Sequence, residues 1–195
     1  MDRLHVATLN IRNLADRWFE RLPLLLADMA ALQPDVLGLQ EVVYVMQQDR
    51  LIGAAGEAHY GVERAWAGRP EYGNSLLVRE PLAATETERL DLGTSRSALR
   101  SVVALPGGSS VSVVVTHLHH LTADESVRDE QTATLLAWLD DAGAPQTDAT
   151  ILMGDFNAEP DEPAPARLRA GGFVSAYADV NGADPVVTWP SGLQA

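Results

Sequence analysis

Residues 151–160 read I-L-M-G-D-F-N-A-E-P. The uncharged run Ala149–Met153, bounded by Asp148 and Gly154, has the length and composition of a buried strand. Gly154 predicts a sharp change of direction where the strand leaves its sheet. Asp155 and Asn157 follow two residues apart, so their polar heads fall on one rim. A carboxylate and an amide together offer hard oxygen donors for a divalent cation and hydrogen bonds for a water or phosphate oxygen. The same pair also satisfies a tight Asx turn, bonded only to local backbone. The loop alone does not choose between these readings, and the rest of the chain must decide.

The chain has 195 residues, enough for one domain with a sizeable core. Hydrophobic content of 46% with 21% charged residues is that of a folded protein, not a disordered one. Net charge is −13, from 14 basic and 27 acidic residues, which disfavours a broad footprint on a phosphate backbone. A small phosphorylated ligand held locally with a metal remains compatible with that charge. With no cysteine, disulfides, thiolate catalysis and thiolate metal sites are excluded. The start of the chain shows no signal-peptide core, and the apolar stretch Leu22–Leu32 is broken by Asp28. The expectation is a cytoplasmic protein with no membrane span.

Alternation over Leu4–Leu9 predicts a first strand. Trp18, Leu22, Leu25, Met29 and Leu32 form a helical stripe that starts at an Asp16 cap or at Pro23 and stops before Pro34. Val36–Leu39 is a second buried strand, ending in Gln40-Glu41, and Tyr60–Ala67 a third. Gly68–Gly73 reads as a turn-rich break. Ser75–Val78 and a stretch of Leu82–Leu92 are expected to form a hairpin around Glu80-Pro81, and Leu99–Leu105 with Val111–Val115 a second one. Thr122–Glu125 has the form of a capping box opening a helix to Ala142, with Val127, Leu135, Trp138 and Leu139 on its buried side. Glu162–Ala170 reads as a short helix and Thr188–Gly192 as a loop. Irregular alternation of strands and helices, with hairpins, favours a layered α/β arrangement of mixed or antiparallel sheets.

The expected strands end in polar groups of one kind: Asn10, Glu41, His117, and Asp155 with Asn157. Brought to one edge, they would supply carboxylates for a divalent ion, amides for phosphate oxygens and an imidazole donor, an inventory suited to metal-assisted attack on a phosphoester. There is no serine elbow and no glycine loop to cradle a triphosphate. Zinc at His117, His119 and His120 is disfavoured, because neighbours on a strand face opposite sides and no further ligand has metal spacing. Arg96 and Arg100 both precede apolar strand residues, and either register would lean one over the cleft.

The ordered set T-L-N-I-R-N (Thr8–Asn13), P-D-V-L-G-L-Q-E-V (Pro34–Val42), G-N-S-L-L-V-R (Gly73–Arg79), R-S-A-L (Arg96–Leu99), T-H-L (Thr116–Leu118), R-x-x-Q (Arg128–Gln131) and G-D-F-N (Gly154–Asn157) resembles the endonuclease/exonuclease/phosphatase family, whose fold is that of deoxyribonuclease I. The resemblance implies a four-layer α/β/β/α sandwich of two mixed, mainly antiparallel sheets. It implies Glu41 as principal ligand of Mg²⁺, with Mn²⁺ as a substitute and Asn10 beside it. His117 would hold a phosphoryl oxygen, Asp155 and Asn157 would orient water and phosphate, and Asn74 and Arg96 would bind substrate.

The family's last motifs, an aspartate strand and a Ser-Asp-His, are not found before Ala195. The expectation is therefore a fold lacking its last strands, low activity of this chain alone, and self-association through an open sheet edge. An inactive metal- and phosphate-binding module is the alternative reading. Whatever the phosphorylated substrate, nonspecific duplex DNA is disfavoured by charge. In a gel-shift series on random duplex at about 0.15 M salt, the protein is expected to bind no tighter than about 10⁻⁵ M. Tight binding with a steep salt slope would contradict this.

Overall fold

The computed structural model describes residues 3–186 and 188. The expected loop at Thr188–Gly192 therefore lies outside the described residues, apart from Thr188. The elements are β1 (Val6–Asn10), α1 (Trp18–Leu32), β2 (Val36–Val43), a π-helical turn (Tyr44–Gln48), α2 (Asp49–Ala54), β3 (Tyr60–Arg69), β4 (Tyr72–Arg79), β5 (Ala84–Gly93), β6 (Arg96–Ala104), β7 (Ser110–His117), α3 (Glu125–Leu139), β8 (Ala149–Asp155), α4 (Pro163–Ala170) and α5 (Ala176–Asn181). None of the described helices is long and apolar enough to cross a membrane.

The strands form two four-stranded sheets, ordered β1-β2-β4-β3 and β5-β6-β7-β8. Only β1–β2 and β7–β8 run parallel; the other pairs are antiparallel. Strand periodicity sorts the side chains into three apolar layers. Val36, Leu76 and Val78 of the first sheet meet Leu99, Val103, Val113, Val115 and Met153 of the second. The outward Leu37, Leu39 and Leu77 are covered by Met29 of α1 and Leu51 of α2. Ala98 and Val114 on the other outer face are covered by Leu135 of α3 and Ala164 of α4. The result is the expected four-layer α/β/β/α sandwich.

Two glycines set how closely neighbours approach. A Cβ on Gly38 would lie 2.4 Å from Met153 Sδ, where the sheets press together. Gly154 is still inside β8, paired with Thr116, and a Cβ there would lie 2.0 Å from the Thr116 carbonyl oxygen. Its role is thus close strand approach rather than the expected turn out of the sheet.

The expected hairpin around Glu80-Pro81 does not form. β4 pairs with β2 and β3, whereas β5 pairs with β6, so this link carries the chain from one sheet to the other. Leu82, buried in the central layer, anchors the crossing. The hairpin of β6 and β7 forms as expected, and Gly68–Gly73 is the tip of a β3–β4 hairpin whose strands run into it. Helix α1 begins after Arg17, which adopts a left-handed backbone without a side-chain cap; neither Asp16 nor Pro23 starts it, and Pro23 lies within it. The capping box at Thr122–Glu125 is absent too. Asp124 stands at the N-cap of α3 but makes no capping bond, because its carboxylate is taken by His119. The π-helical turn, α2 and α5 were not legible as separate elements.

Asp35 locks the end of the first sheet opposite the polar rim. It is 4% exposed, accepts from the His5 backbone N–H at 2.9 Å, and forms an ion pair with Arg79. Burial alone would raise its carboxyl pKa, but the bonds from Arg79 and His5 outweigh this and hold it below the ordinary 3.8. Stability from this group is therefore fully present above 3.8 and is lost as pH falls through the lower folded-state value. Asp35→Ala is expected to cost about 2–3 kcal/mol in urea unfolding at neutral pH. The difference from wild type should shrink in strong acid; a pH-independent difference would discount the carboxylate.

Candidate active site

The C-terminal ends of β1, β2, β7 and β8, with the start of β6, converge on one edge of the sandwich. At the β2 end the register slips between Leu39 and Val42. Glu41 stands in this bulge with φ of 57°, a left-handed backbone unfavourable for a residue with a Cβ. The bulge turns its carboxylate toward β1. Glu41 Oε1 accepts from Asn10 Nδ2 at 3.1 Å, and Oε2 from Asn13 Nδ2 at 2.7 Å. Across the gap between sheets, Asn10 Nδ2 also donates to Asp155 Oδ2 at 2.8 Å. One amide thus holds two carboxylates from different sheets.

Asp155 does two jobs. Its Oδ1 accepts from the Asn157 backbone N–H at 2.9 Å, which forms the Asx turn, while its Oδ2 faces Asn10. Asn157 itself is committed locally: its Nδ2 donates to the Leu118 carbonyl at 3.1 Å. Asn74 is buried and its Nδ2 donates to the Ser97 carbonyl at 2.9 Å, tying β4 to β6 across the sheets.

His117 is buried at the end of β7, in register with Asp155. Arg96 Nη1 lies 2.9 Å from its Nδ1 and 3.2 Å from its Nε2. Burial, then the neighbouring Arg96 charge, push the imidazole down to about 4, against the pull of Asp155 and Glu41. The ring is therefore neutral at pH 7. Burial likewise lowers Arg96 below its ordinary value and raises the Tyr72 phenol, with Glu41 adding to the latter. Glu41, Tyr72, Asn74, Arg96 and His117 line one pocket. Arg100, the alternative to Arg96, is elsewhere: it pairs with Glu88 and stacks on Trp138, 4.5 Å from the ring centroid.

All the expected site residues thus lie at this edge, with Asn74 and Asn157 serving as braces. Asn13 was missed, although it ends the T-L-N-I-R-N stretch. Its loop is held by Arg21, which donates to the carbonyls of Ile11, Asn13, Ala15 and Asp16, and by Gln47, which donates to Asn13 O at 2.6 Å. Nothing in the spacing pointed to these helix-borne donors. His119 and His120 do not form a metal cluster with His117; among the described residues no such cluster of three or more His, Cys, Asp or Glu is found.

Because His117 is lowered, the folded state resists a proton that the unfolded chain takes up below 6.5. Stability should fall as pH drops from 6.5 toward 4 and level off below, and His117→Gln should flatten that segment. Imidazole NMR of the metal-free protein checks the assignment directly: a His117 ring titrating near 6.5 would overturn it.

Comparisons with known proteins give the family and the fold. The profile of the Endonuclease/Exonuclease/phosphatase family matches residues 7–194. Human Nocturnin is 29% identical over 194 aligned residues, covering 89% of this chain and 45% of that protein. The chain spans less than half the length of the curated relatives it matches. Among solved structures, the human Nocturnin catalytic domain with bound sulfate superposes with a TM-score of 0.78 at 24% identity, covering 94% of this chain and 76% of that one. TDP2 of D. rerio, complexed with a single-strand DNA product, gives 0.72 at 20% identity, covering 94% and 72%. At these identities the structural likeness shows a shared fold.

Proposed function

The chain belongs to the endonuclease/exonuclease/phosphatase family, and from that premise we propose that it hydrolyses a phosphoester bond with the help of a divalent cation, Mg²⁺ or in its place Mn²⁺. The observation that carries the reading is the convergence of Glu41 and Asp155 on the single amide of Asn10, with neutral His117 and cationic Arg96 alongside.

The donor set fits a hard cation. Two carboxylates are ligands suited to Mg²⁺, whereas thiolates are absent and the imidazole is turned toward Arg96. Asn10 faces the carboxylates with Nδ2 while its Oδ1 accepts from the Arg12 backbone N–H at 2.8 Å, so its amide would turn over to join the ligands. Glu41 and Asn10 would hold the ion, which supplies charge to polarise a phosphoryl oxygen. The chain's own residues do the rest. Arg96 offers guanidinium donors to phosphate oxygens, and neutral His117 donates from one ring nitrogen. Asp155 accepts a hydrogen from the attacking water and orients it, while the Asx turn to Asn157 fixes its carboxylate. Asn74 keeps the two sheets in register beneath the pocket.

The substrate is proposed only as a phosphorylated compound. The acidic chain argues against nonspecific duplex DNA. Self-association through a sheet edge belongs to the same proposal, supported by the half-exposed Val6 and Leu9 of edge strand β1.

Two measurements test this reading. Across a panel of phosphomonoesters and phosphodiesters, hydrolysis should require Mg²⁺ or Mn²⁺ and should fall about 10²-fold or more in Glu41→Gln and His117→Ala. By titration calorimetry, Glu41→Gln should weaken Mg²⁺ binding while the same change at Glu57, an exposed carboxylate, should not. Equal effects at both positions would remove Glu41 from the metal site.

A further inference from the structure

Arg96 is gripped from two sides, and only one of them is the buried histidine. Its Nη2 lies 2.9 Å from Nδ1 of His120, an exposed residue three positions after His117. A guanidinium can only donate, so His120 takes this contact through the lone pair on Nδ1 and carries its proton on Nε2. The loop holding His120 is itself fixed. The His119 backbone N–H donates to Gln131 Oε1 at 2.9 Å. Gln131 Nε2 in turn donates to Leu92 O at 3.2 Å, at the end of β5, and to Thr94 Oγ1 at 3.0 Å, in the turn that leads to Arg96. Arg128, wholly buried, donates to the carbonyls of Leu121 and Thr122 and pairs with Glu162. The R-x-x-Q motif of α3 thus pins the loop bearing His120 and the turn bearing Arg96 to one helix.

We propose that His120 is a positioning residue that presets the Arg96 guanidinium for a substrate phosphate, and that Arg128 and Gln131 supply the rigid mount for this pairing. The proposal rests on the phosphoester reading of the pocket. A long cationic side chain loses rotamer freedom when a ligand fixes it. A partner that fixes it beforehand moves that cost out of the binding step. His120 needs no contact with the substrate to act in this way, and its exposure makes substitution harmless to the fold.

Inorganic phosphate with Mg²⁺ serves as the probe. His120→Ala should weaken phosphate about 3- to 10-fold, and for any ester turned over it should raise KM by a similar factor with kcat within about 2-fold. His120→Asn should restore affinity, because Asn Oδ1 sits where Nδ1 does along the side chain. His120→Gln, with its acceptor one bond further out, should not. In an Arg96→Ala background, His120→Ala should have no further effect. In the free protein, NMR of the Arg96 guanidinium should show restricted rotation in wild type and His120→Asn, and measurably faster rotation in His120→Ala, where only the His117 contact remains. Unchanged phosphate affinity in His120→Ala, or additive losses with Arg96→Ala, would overturn the proposal. A wild type that hydrolyses nothing, yet shows the phosphate and NMR pattern, would defeat the hydrolase reading and uphold the positioning role.

Discussion

The amide of Asn10 is the bond on which the site depends. It ties Glu41 of the first sheet to Asp155 of the second, at 3.1 and 2.8 Å. Two like-charged carboxylates repel, and the shared amide places a hydrogen-bond donor between them. The bond is possible only because the sheets are close. Gly38 against Met153 leaves no room for a side chain between β2 and β8, and Gly154 lets β8 lie tight on β7. Packing density in the central layer therefore becomes electrostatics at its rim.

That dependence explains what was and was not legible in the residue order. The strand ends were readable, because an apolar run that stops at a polar residue needs only local information: Leu39 to Glu41, Val115 to His117, Met153 to Asp155. The layer arrangement followed from the resemblance and from alternation. What failed were features set by distant partners. Glu80-Pro81 looks like a hairpin turn, yet β4 finds better partners in β2 and β3, and buried Leu82 takes the chain across to the other sheet. Thr122–Glu125 looks like a capping box, yet Asp124 is drawn to His119 and the carbonyl of Thr122 to Arg128. Arg96 and Arg100 were indistinguishable by spacing, since both precede apolar residues of the same strand. Only position along the strand separates the rim from the Trp138 stack.

The polar residues divide into those facing the pocket and those holding them. Glu41, Asp155, His117 and Arg96 carry charge or a lone pair that a phosphate or cation would meet. Asn13, Asn74, Asn157 and Gln131 spend their donors on carboxylate, hydroxyl or backbone oxygens. Amides suit this second task because they pair without adding net charge beside the carboxylates. Orientation held by such bonds is what a hydrolytic site needs, since misplacement of a reacting group by an ångström can cost orders of magnitude in rate.

The backbone records the cost. Arg12, Asn13, Glu41 and Asn157 all have positive φ, and all lie on the rim. Each non-glycine residue held there costs on the order of 1–3 kcal/mol, although asparagine suffers least. No such cluster occurs in strands β7 and β8, where the one positive φ belongs to Gly154. Six further non-glycine residues, Asp16, Arg17, Gln33, Glu86, Thr94 and Ser95, carry positive φ in turns, at the ends of α1 and in β5, so such backbone is not confined to the pocket, and the regular core offsets the loss. Glu41 bears the sharpest conflict, because a glycine in the bulge would relieve the backbone but remove the carboxylate. Its presence there is best understood as stability given up for a charged oxygen aimed across the gap between sheets.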